Sequence, residues 1–171
     1  MASIEINQAA TRRTRNSLTK DVILDAAQKL AKTGAELSIR NVSLSLGCTP
    51  MALYRHFQDK QELLLELLDR IIATVPLGEE EEWEARLIKI ASGHLHVLQS
   101  NPWAIPLLFE HPDPGPSVRK VGEAMLGALL EAGASSDQAI GAFSSILALN
   151  YGWAGFTSIT NENAKEKSII Q

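Results

Sequence analysis

The sequence predicts an all-α protein in two helical domains, and three observations carry that expectation. Apolar residues recur at helical spacing from Leu18 onward, glycine and proline punctuate the pattern where helices stop, and charge divides unequally along the chain. Residues 1–60 hold nine Lys/Arg against five Asp/Glu, a balance of +4, whereas residues 61–171 hold seven against fifteen, a balance of −8. The whole chain carries −4, so a uniform reading would argue against a polyanionic partner. The asymmetry argues instead for a basic front end with its own partner and an acidic remainder without one.

The elements follow in order. From Leu18, the residues Val22, Ala26 and Leu30, with Ile23 and Ala27 beside them, form a stripe at i, i+4, i+8 that Gly34 ends, giving the first helix. Ser38 is placed to cap a two-turn second helix whose Ile39, Val42 and Leu46 share a face, and Gly47 stops it. Thr49 then stands as N-cap with Pro50 at the first helical position, where its missing N–H costs nothing. Two short helices joined by so tight a glycine turn form a helix-turn-helix unit. In the second of them, CTPMALYRHFQDK, Leu53 and Phe57 are the two apolar anchors, and Pro50, Met51, Ala52, Tyr54 and His56 are left to point elsewhere. Asp59 with Glu62 three residues on makes a capping-box variant that opens a fourth helix, and Leu63, Leu64, Leu67, Leu68, Ile71, Ile72 and Val75 carry it to Pro76-Leu77-Gly78. Its long apolar face suits a helix that joins one domain to the next. The boundaries read as residues 16–76 and 79–171.

In the second domain, Trp83, Leu87, Ile90, His94, Val97 and Leu98 line one side of a fifth helix ended by Asn101-Pro102. A short sixth helix fits Pro102 to Phe109, and HPDPGP, with three prolines in six positions, reads as an extended loop. The seventh helix runs from about Ser117 to Ala132 and ends at Gly133; Ser136 and Asp137 open the eighth. Gly141, Ser145, Ala148, Gly152 and Gly155 line one of its sides and Phe143, Ile146, Leu147, Asn150 and Ala154 the other. No charge falls between Gln138 and Asn161, so this helix is expected to be buried all round, by its own domain and by a second subunit. NENAKEKSIIQ leaves room only for the start of a ninth helix.

Several classes of function are disfavoured. Charge interrupts every apolar run, so no stretch approaches the roughly 18 apolar residues of a spanning helix, and the N-terminus MASIEINQAATRRTR has no apolar signal core. A cytoplasmic protein is expected. The single cysteine, Cys48, has no internal disulfide partner. His94 and His96, two apart, fall on different helix faces and do not form a metal pair; no paired nucleophile and base and no phosphate loop are present, so neither an enzyme nor a bound metal or cofactor is expected.

The run from Lys20 to Leu65, above all GAELSIRNV and LGCTPMALYRHFQDKQELL, closely resembles the DNA-binding domain of the tetracycline-repressor (TetR) family of bacterial transcriptional regulators. SNPWAIPLL, PGPSVR and ALLEAGASSDQAIGAF resemble the ligand-binding half of that family's tetracycline-repressor subgroup. The resemblance implies that the helix opening at Thr49 enters the major groove, with Thr49, Pro50, Met51, Ala52 and Tyr54 toward the DNA and with Ser38, Arg40, His56 and Lys60 on phosphates. Pro50, Met51 and Ala52 offer apolar contact to a thymine methyl, and Tyr54 offers a hydroxyl. The residues themselves leave alternatives open: Tyr54 as core, His56 as a cation at a helix C-terminus, Arg55 as a solvated charge, and Arg12, Arg13 and Arg15 as either a DNA-tracking arm or a charged tail.

The resemblance further implies a homodimer formed through the eighth helix and suited to a palindromic operator, and a small-molecule effector. Family members usually have further helices beyond the point this chain reaches. Candidate lining residues for the effector are His94, Trp103, Phe109, Met125, Phe143, Asn150 and Trp153, whose aromatic rings and hydrogen-bonding groups suit a planar, partly polar molecule. Each serves equally well as core. Taken together, the expectation is a ligand-responsive repressor, and the alternative is a DNA-binding dimer whose second domain only dimerises or docks a protein.

Overall fold

The computed structural model describes residues 18–78, 82–111 and 115–169, with side chains as far as residue 158. Among the described residues the chain forms eight helices and no strand: α1 (Lys20–Lys32), α2 (Ile39–Ser45), α3 (Pro50–Leu53), α4 (Lys60–Ile72), α5 (Trp83–Ser100), α6 (Ala104–Glu110), α7 (Pro116–Glu131) and α8 (Ser136–Ile169). Two compact units divide after Leu67, inside α4. The packing division thus falls within a continuous helix, upstream of the Pro76–Gly78 break in the sequence pattern.

In the first unit the caps act where the side-chain chemistry places them. The Thr19 hydroxyl accepts from the Val22 amide at 3.3 Å, and the Ser38 hydroxyl from the Asn41 amide at 3.2 Å, each satisfying a donor that the first helical turn leaves bare. Gly47 takes a φ of 63°, the left-handed conformation that lets α2 end and α3 begin within four residues. Thr49 holds the cap position of α3 with extended backbone but makes no side-chain cap bond; the backbone closes the turn instead, Ala52 N–H donating to the Thr49 carbonyl at 2.9 Å. The α-helical part of this element is a single turn. Residues 54–56 continue as a turn, because the chain must reverse before α4, and the Leu53 carbonyl accepts from both the His56 and Phe57 amides.

Asp59 Oδ1 accepts from the Glu62 amide at 2.8 Å, and the Glu62 carboxylate reaches back to the amide of Gln58, one residue before the position a standard capping box uses. Ile23, Leu24, Ala27, Ile39, Val42, Leu53, Phe57, Leu63 and Leu67 form the buried apolar core. Lys20 ties α1 to α4 at the surface: its ammonium pairs with Glu62 at 3.5 Å and with Glu66, and lies 5.0 Å from the centroid of the Phe57 ring. The two carboxylates raise the Lys20 pKa, Glu66 most.

In the second unit α5, α7 and α8 pack pairwise around Leu68, Ile71, Ile72, Ile90, Leu98, Met125 and Ala154. Two glycines permit close approaches. A Cβ on Gly93 would lie 2.5 Å from Pro76 Cδ, so α5 passes tight against the turn that follows α4. Gly115, with φ 133°, precedes α7, and there the Asp69 carboxylate accepts from the Ser117 amide at 2.7 Å, so a side chain of α4 caps the N-terminus of α7. Ser136 opens α8 as the sequence indicates, and Ser135 caps it: its hydroxyl accepts from the Gln138 amide at 3.3 Å while Gln138 Oε1 accepts from the Ser135 amide at 2.9 Å. Helix α8 then runs unbroken for 34 residues, taking in the segment that the sequence assigned to the start of a ninth helix. No proline interrupts it, and residues 161–167, NENAKEK, are ones that a helix accepts.

Within one chain α8 is buried on one side only. Asn150 and Ala154 are buried and Phe143, Ile146 and Leu147 half-buried, while Gly141, Ser145, Ala148 and Gly152 are exposed together with Ile140, Leu149, Trp153 and Phe156. Burial all round therefore does not hold for the isolated chain.

The Asp69–Gly115 contact supplies a stability test. A Cβ at Gly115 would lie 2.6 Å from Asp69 Oδ1 and would also impose a strained φ. Gly115→Ala should lower stability by about 1–3 kcal/mol, and Asp69→Ala by about 1 kcal/mol through the lost cap. Because the clash needs both partners, the double variant should lose less than the sum, which urea denaturation of the four proteins checks.

Candidate nucleic-acid interface and ligand site

The first unit presents the α2–α3 corner as a polar, basic surface over an apolar base. Leu53 and Phe57, four residues apart, are 0% and 1% exposed and fix the α3 segment to the core. The residues around these anchors are turned largely outward: Met51 is 68% and Tyr54 47% exposed, Thr49, Pro50, Arg55 and Lys60 are exposed, and Ala52 and His56 are half-buried. Tyr54 is accordingly not core. Arg40 is exposed and Ser38 half-buried at the start of α2, where the Ser38 hydroxyl already serves as the cap of its own helix. All nine residues singled out in the sequence lie on α2, on α3 or on the turns and helix start that follow. Apolar Pro50, Met51 and Ala52 open α3, and Arg40, Arg55 and Lys60 are exposed on α2, on the turn after α3 and at the start of α4, a set of residue types able to meet base methyls and phosphates. Arg12, Arg13 and Arg15 lie outside the described residues.

The second unit builds a different site from α5 and α8. His94 is 3% and Asn150 5% exposed, and Asn150 Nδ2 approaches His94 Nδ1 to 3.1 Å while donating to the Ala91 carbonyl at 3.0 Å. The Ala91 oxygen only accepts, so the amide nitrogen of Asn150 is the group turned toward α5. It must donate to His94 as well, which leaves Nδ1 bare and puts the ring proton on Nε2. Burial pulls the His94 pKa down to about 4, so the ring is neutral at physiological pH.

The Tyr151 ring meets His94 edge-on with centroids 5.8 Å apart and Phe109 at 5.0 Å, forming a chain of three rings across α5, α8 and α6. Burial raises the Tyr151 hydroxyl pKa, so it remains a donor. Tyr151 was not singled out in the sequence; its place next to Asn150 in the chain was the available signal. Met125 on α7 is fully buried, and Phe143 is half-buried with its ring against Gly122 of α7.

Phe109 is a peripheral member, 69% exposed beyond its contact with Tyr151. Trp153 is not brought to this group: it is 52% exposed and its ring lies 6.1 Å from that of Phe156 on the uncovered side of α8. One step of three along the helix from Asn150 is enough to carry it across the boundary of the buried side. Trp103 is half-buried at the corner between α5 and α6, with its indole Nε1 enclosed and unpartnered, as is Oδ1 of the neighbouring Asn101. Among the described residues no three His, Cys, Asp or Glu side chains gather as a metal site, and no helix is long and apolar enough to cross a membrane.

The neutral His94 has a measurable consequence. Between its ordinary pKa of 6.5 and about 4, the unfolded chain binds a proton that the folded chain refuses, so stability is lost as pH falls through that window. Wild type should lose about 3 kcal/mol more than His94→Phe on going from pH 7 to pH 4. Parallel denaturation curves of the two proteins across that range check this.

Sequence and structure comparisons agree with this geometry. The family described as "Bacterial regulatory proteins, tetR family" matches residues 23–67, and "Tetracyclin repressor-like, C-terminal domain" matches residues 75–168. The HTH-type transcriptional repressor DrrR1 of Streptomyces coeruleorubidus is 31% identical over 138 residues, covering 77% of this chain and 51% of that protein, so the chain spans about half the length of this relative. Among solved structures, BioQ with its double-stranded DNA operator has a TM-score of 0.73 at 22% identity, over 91% of this chain and 95% of that one. ActR of Streptomyces coelicolor in complex with actinorhodin has a TM-score of 0.74 at 20% identity, over 84% of this chain and 71% of that one. At such identities the structural likeness establishes the fold, and the family matches, which take in both units, establish the kinship: this chain belongs to the TetR family, bacterial regulatory proteins.

Proposed function

We propose that the protein is a ligand-responsive repressor that binds a palindromic operator as a cytoplasmic homodimer and leaves it when a small molecule occupies the second domain. The observation that carries this reading is the α3 segment: a short helix anchored by Leu53 and Phe57 and otherwise turned to solvent, with its N-terminal end uncovered. Such a helix has no packing reason to expose Met51 and Tyr54, and a groove-entering helix does. Pro50, Met51, Ala52 and Tyr54 read base edges, Thr49 adds a contact at the helix start, and Ser38, Arg40, His56 and Lys60 hold phosphates and set register. The relatives support the reading: DrrR1 is named a repressor, BioQ is seen with operator DNA, and ActR is seen with actinorhodin.

The second subunit covers the exposed side of α8, where Gly141, Ser145, Ala148 and Gly152 allow close helix approach and Leu149, Trp153 and Phe156 supply apolar area. The effector binds among α5–α8 near His94, Asn150, Met125, Phe143, Trp103 and Phe109. Release follows a shift of α4, the one helix with residues in both units. The burial of His94, Asn150 and Met125 also favours a second reading, in which these residues are plain core and the second domain serves dimerisation or protein docking alone.

Sequencing of genomic fragments retained by the purified protein tests the first reading. An enriched palindrome that disappears with Tyr54→Ala is the expected result; a folded dimer that retains no site defeats it. On that site, Arg40→Ala and Lys60→Ala should each weaken binding at every sequence and reduce the slope of log affinity against log salt by about 0.9, one phosphate's worth. A small molecule that binds the second domain tightly and leaves operator affinity unchanged defeats the effector mechanism and selects the second reading, because coupling requires different affinities for the two states.

A further inference from the structure

We infer that Met51 is the principal specificity-determining residue of the α3 segment and that it reads thymine methyl groups, so that the operator half-site carries A·T pairs where α3 meets it. This deepens the proposal that the protein binds an operator through α3 and rests on it.

The helical turn of α3, Pro50–Leu53, contains no side chain with a hydrogen-bonding nitrogen or oxygen. Leu53 and Phe57 fasten that turn to the core at 0% and 1% exposure. Met51 stands two residues before Leu53, about 200° round the helix, and so points away from the anchor. It is 68% exposed, more than any other large apolar side chain described in the first unit. Pro50 beside it is exposed, Ala52 is half-buried, and Tyr54, three residues on, shares the side that Met51 occupies. A single exposed apolar residue is ordinary. An outward helical turn made only of apolar groups is a restricted reader, because hydrogen bonds are the usual means of telling bases apart.

The base edges decide what such a turn recognises. In the major groove guanine presents two acceptors, cytosine a donor and adenine one of each; these call for Arg or Lys, for an acid, and for Asn or Gln. None of those residue types is in α3, and the exposed Arg40, Arg55 and Lys60 lie on α2, on the following turn and at the start of α4. Thymine alone presents a methyl group there. A G·C pair covered by Met51 would lose water from its polar edge with nothing in return, whereas a T·A pair gains an apolar contact. Within the turn Met51 has the reach: its side chain is unbranched with three rotatable bonds, while Pro50 is a fixed ring and Ala52 ends at Cβ.

The site enriched from genomic fragments, synthesised as a duplex and titrated with the full chain, tests the inference. Replacing one thymine at a time by deoxyuridine removes only the C5 methyl. One or two positions in each half-site should weaken wild-type binding about fourfold, the worth of one buried methyl. Met51→Ala should bind the unmodified duplex more weakly by at least about that factor, and at one of those positions it should no longer tell thymine from uracil. Such non-additivity marks a direct contact and is not produced by a merely structural loss. Met51 is exposed, so its truncation leaves the core untouched. At the same position a C·G pair should bind poorly to wild type, and its 5-methylcytosine form should regain about fourfold. Uracil tolerated at every position, or uracil sensitivity unchanged in Met51→Ala, in a protein that still selects its site overturns the inference and leaves the operator-binding reading standing. A folded protein that retains no genomic site defeats that reading and the inference with it.

Discussion

Helix α4 is the constraint on which the rest depends. A single run of 13 residues carries Leu63 and Leu67 into the core of the first unit and Leu68, Ile71 and Ile72 into that of the second. A helix places residues four apart on one line and residues one apart about 100° round, so the neighbours Leu67 and Leu68 necessarily serve two directions. Neither unit closes its core without its share of this helix. The capping of α7 by Asp69 adds a polar fixture to the same helix on the second unit's side.

The first unit keeps the outward residues of its α3 segment separate from the interactions that hold it together. Leu53 and Phe57 do the anchoring from one side of a very short element, and Lys20 with Glu62 and Glu66 joins α1 to α4 elsewhere. Because these ion pairs are exposed, they contribute little to stability and act chiefly on geometry. The residues that remain, among them the exposed Pro50, Met51, Tyr54 and Arg55, are free of packing duties and so able to meet another surface.

The second unit does the reverse and places its polar chemistry inside. Asn150 links His94 to the Ala91 carbonyl by hydrogen bonds and so ties α8 to α5, whereas Asn101 Oδ1 and Trp103 Nε1 are buried without a partner. The exposed side of α8, with Leu149, Trp153 and Phe156 uncovered in the single chain, is a third kind of surface, apolar and lined with small residues.

The sequence by itself determined the helices, their stops and most of their buried sides. Those depend on local rules: periodic apolar residues, hydroxyl and carboxylate caps at Ser38 and Asp59, glycine where φ turns positive, and proline where an N–H is not needed. It likewise marked out the outward residues of α3, because only Leu53 and Phe57 had the spacing to be buried. What the tertiary structure alone decided is which groups meet across elements. The length of α3 was cut to one turn by the approach of α4, a constraint of chain reversal that periodicity does not carry. Trp153 and Asn150, three residues apart, fall in opposite environments because α5 and α7 cover only one side of α8. The tautomer of His94 was set by a carbonyl on its own helix acting through an amide on another, and the unpartnered atoms of Asn101 and Trp103 became visible only once every neighbour had been placed. Local propensity depends on a few adjacent residues, whereas hydrogen-bond satisfaction and burial depend on residues dozens of positions away, as the separation of His94 from Asn150 illustrates.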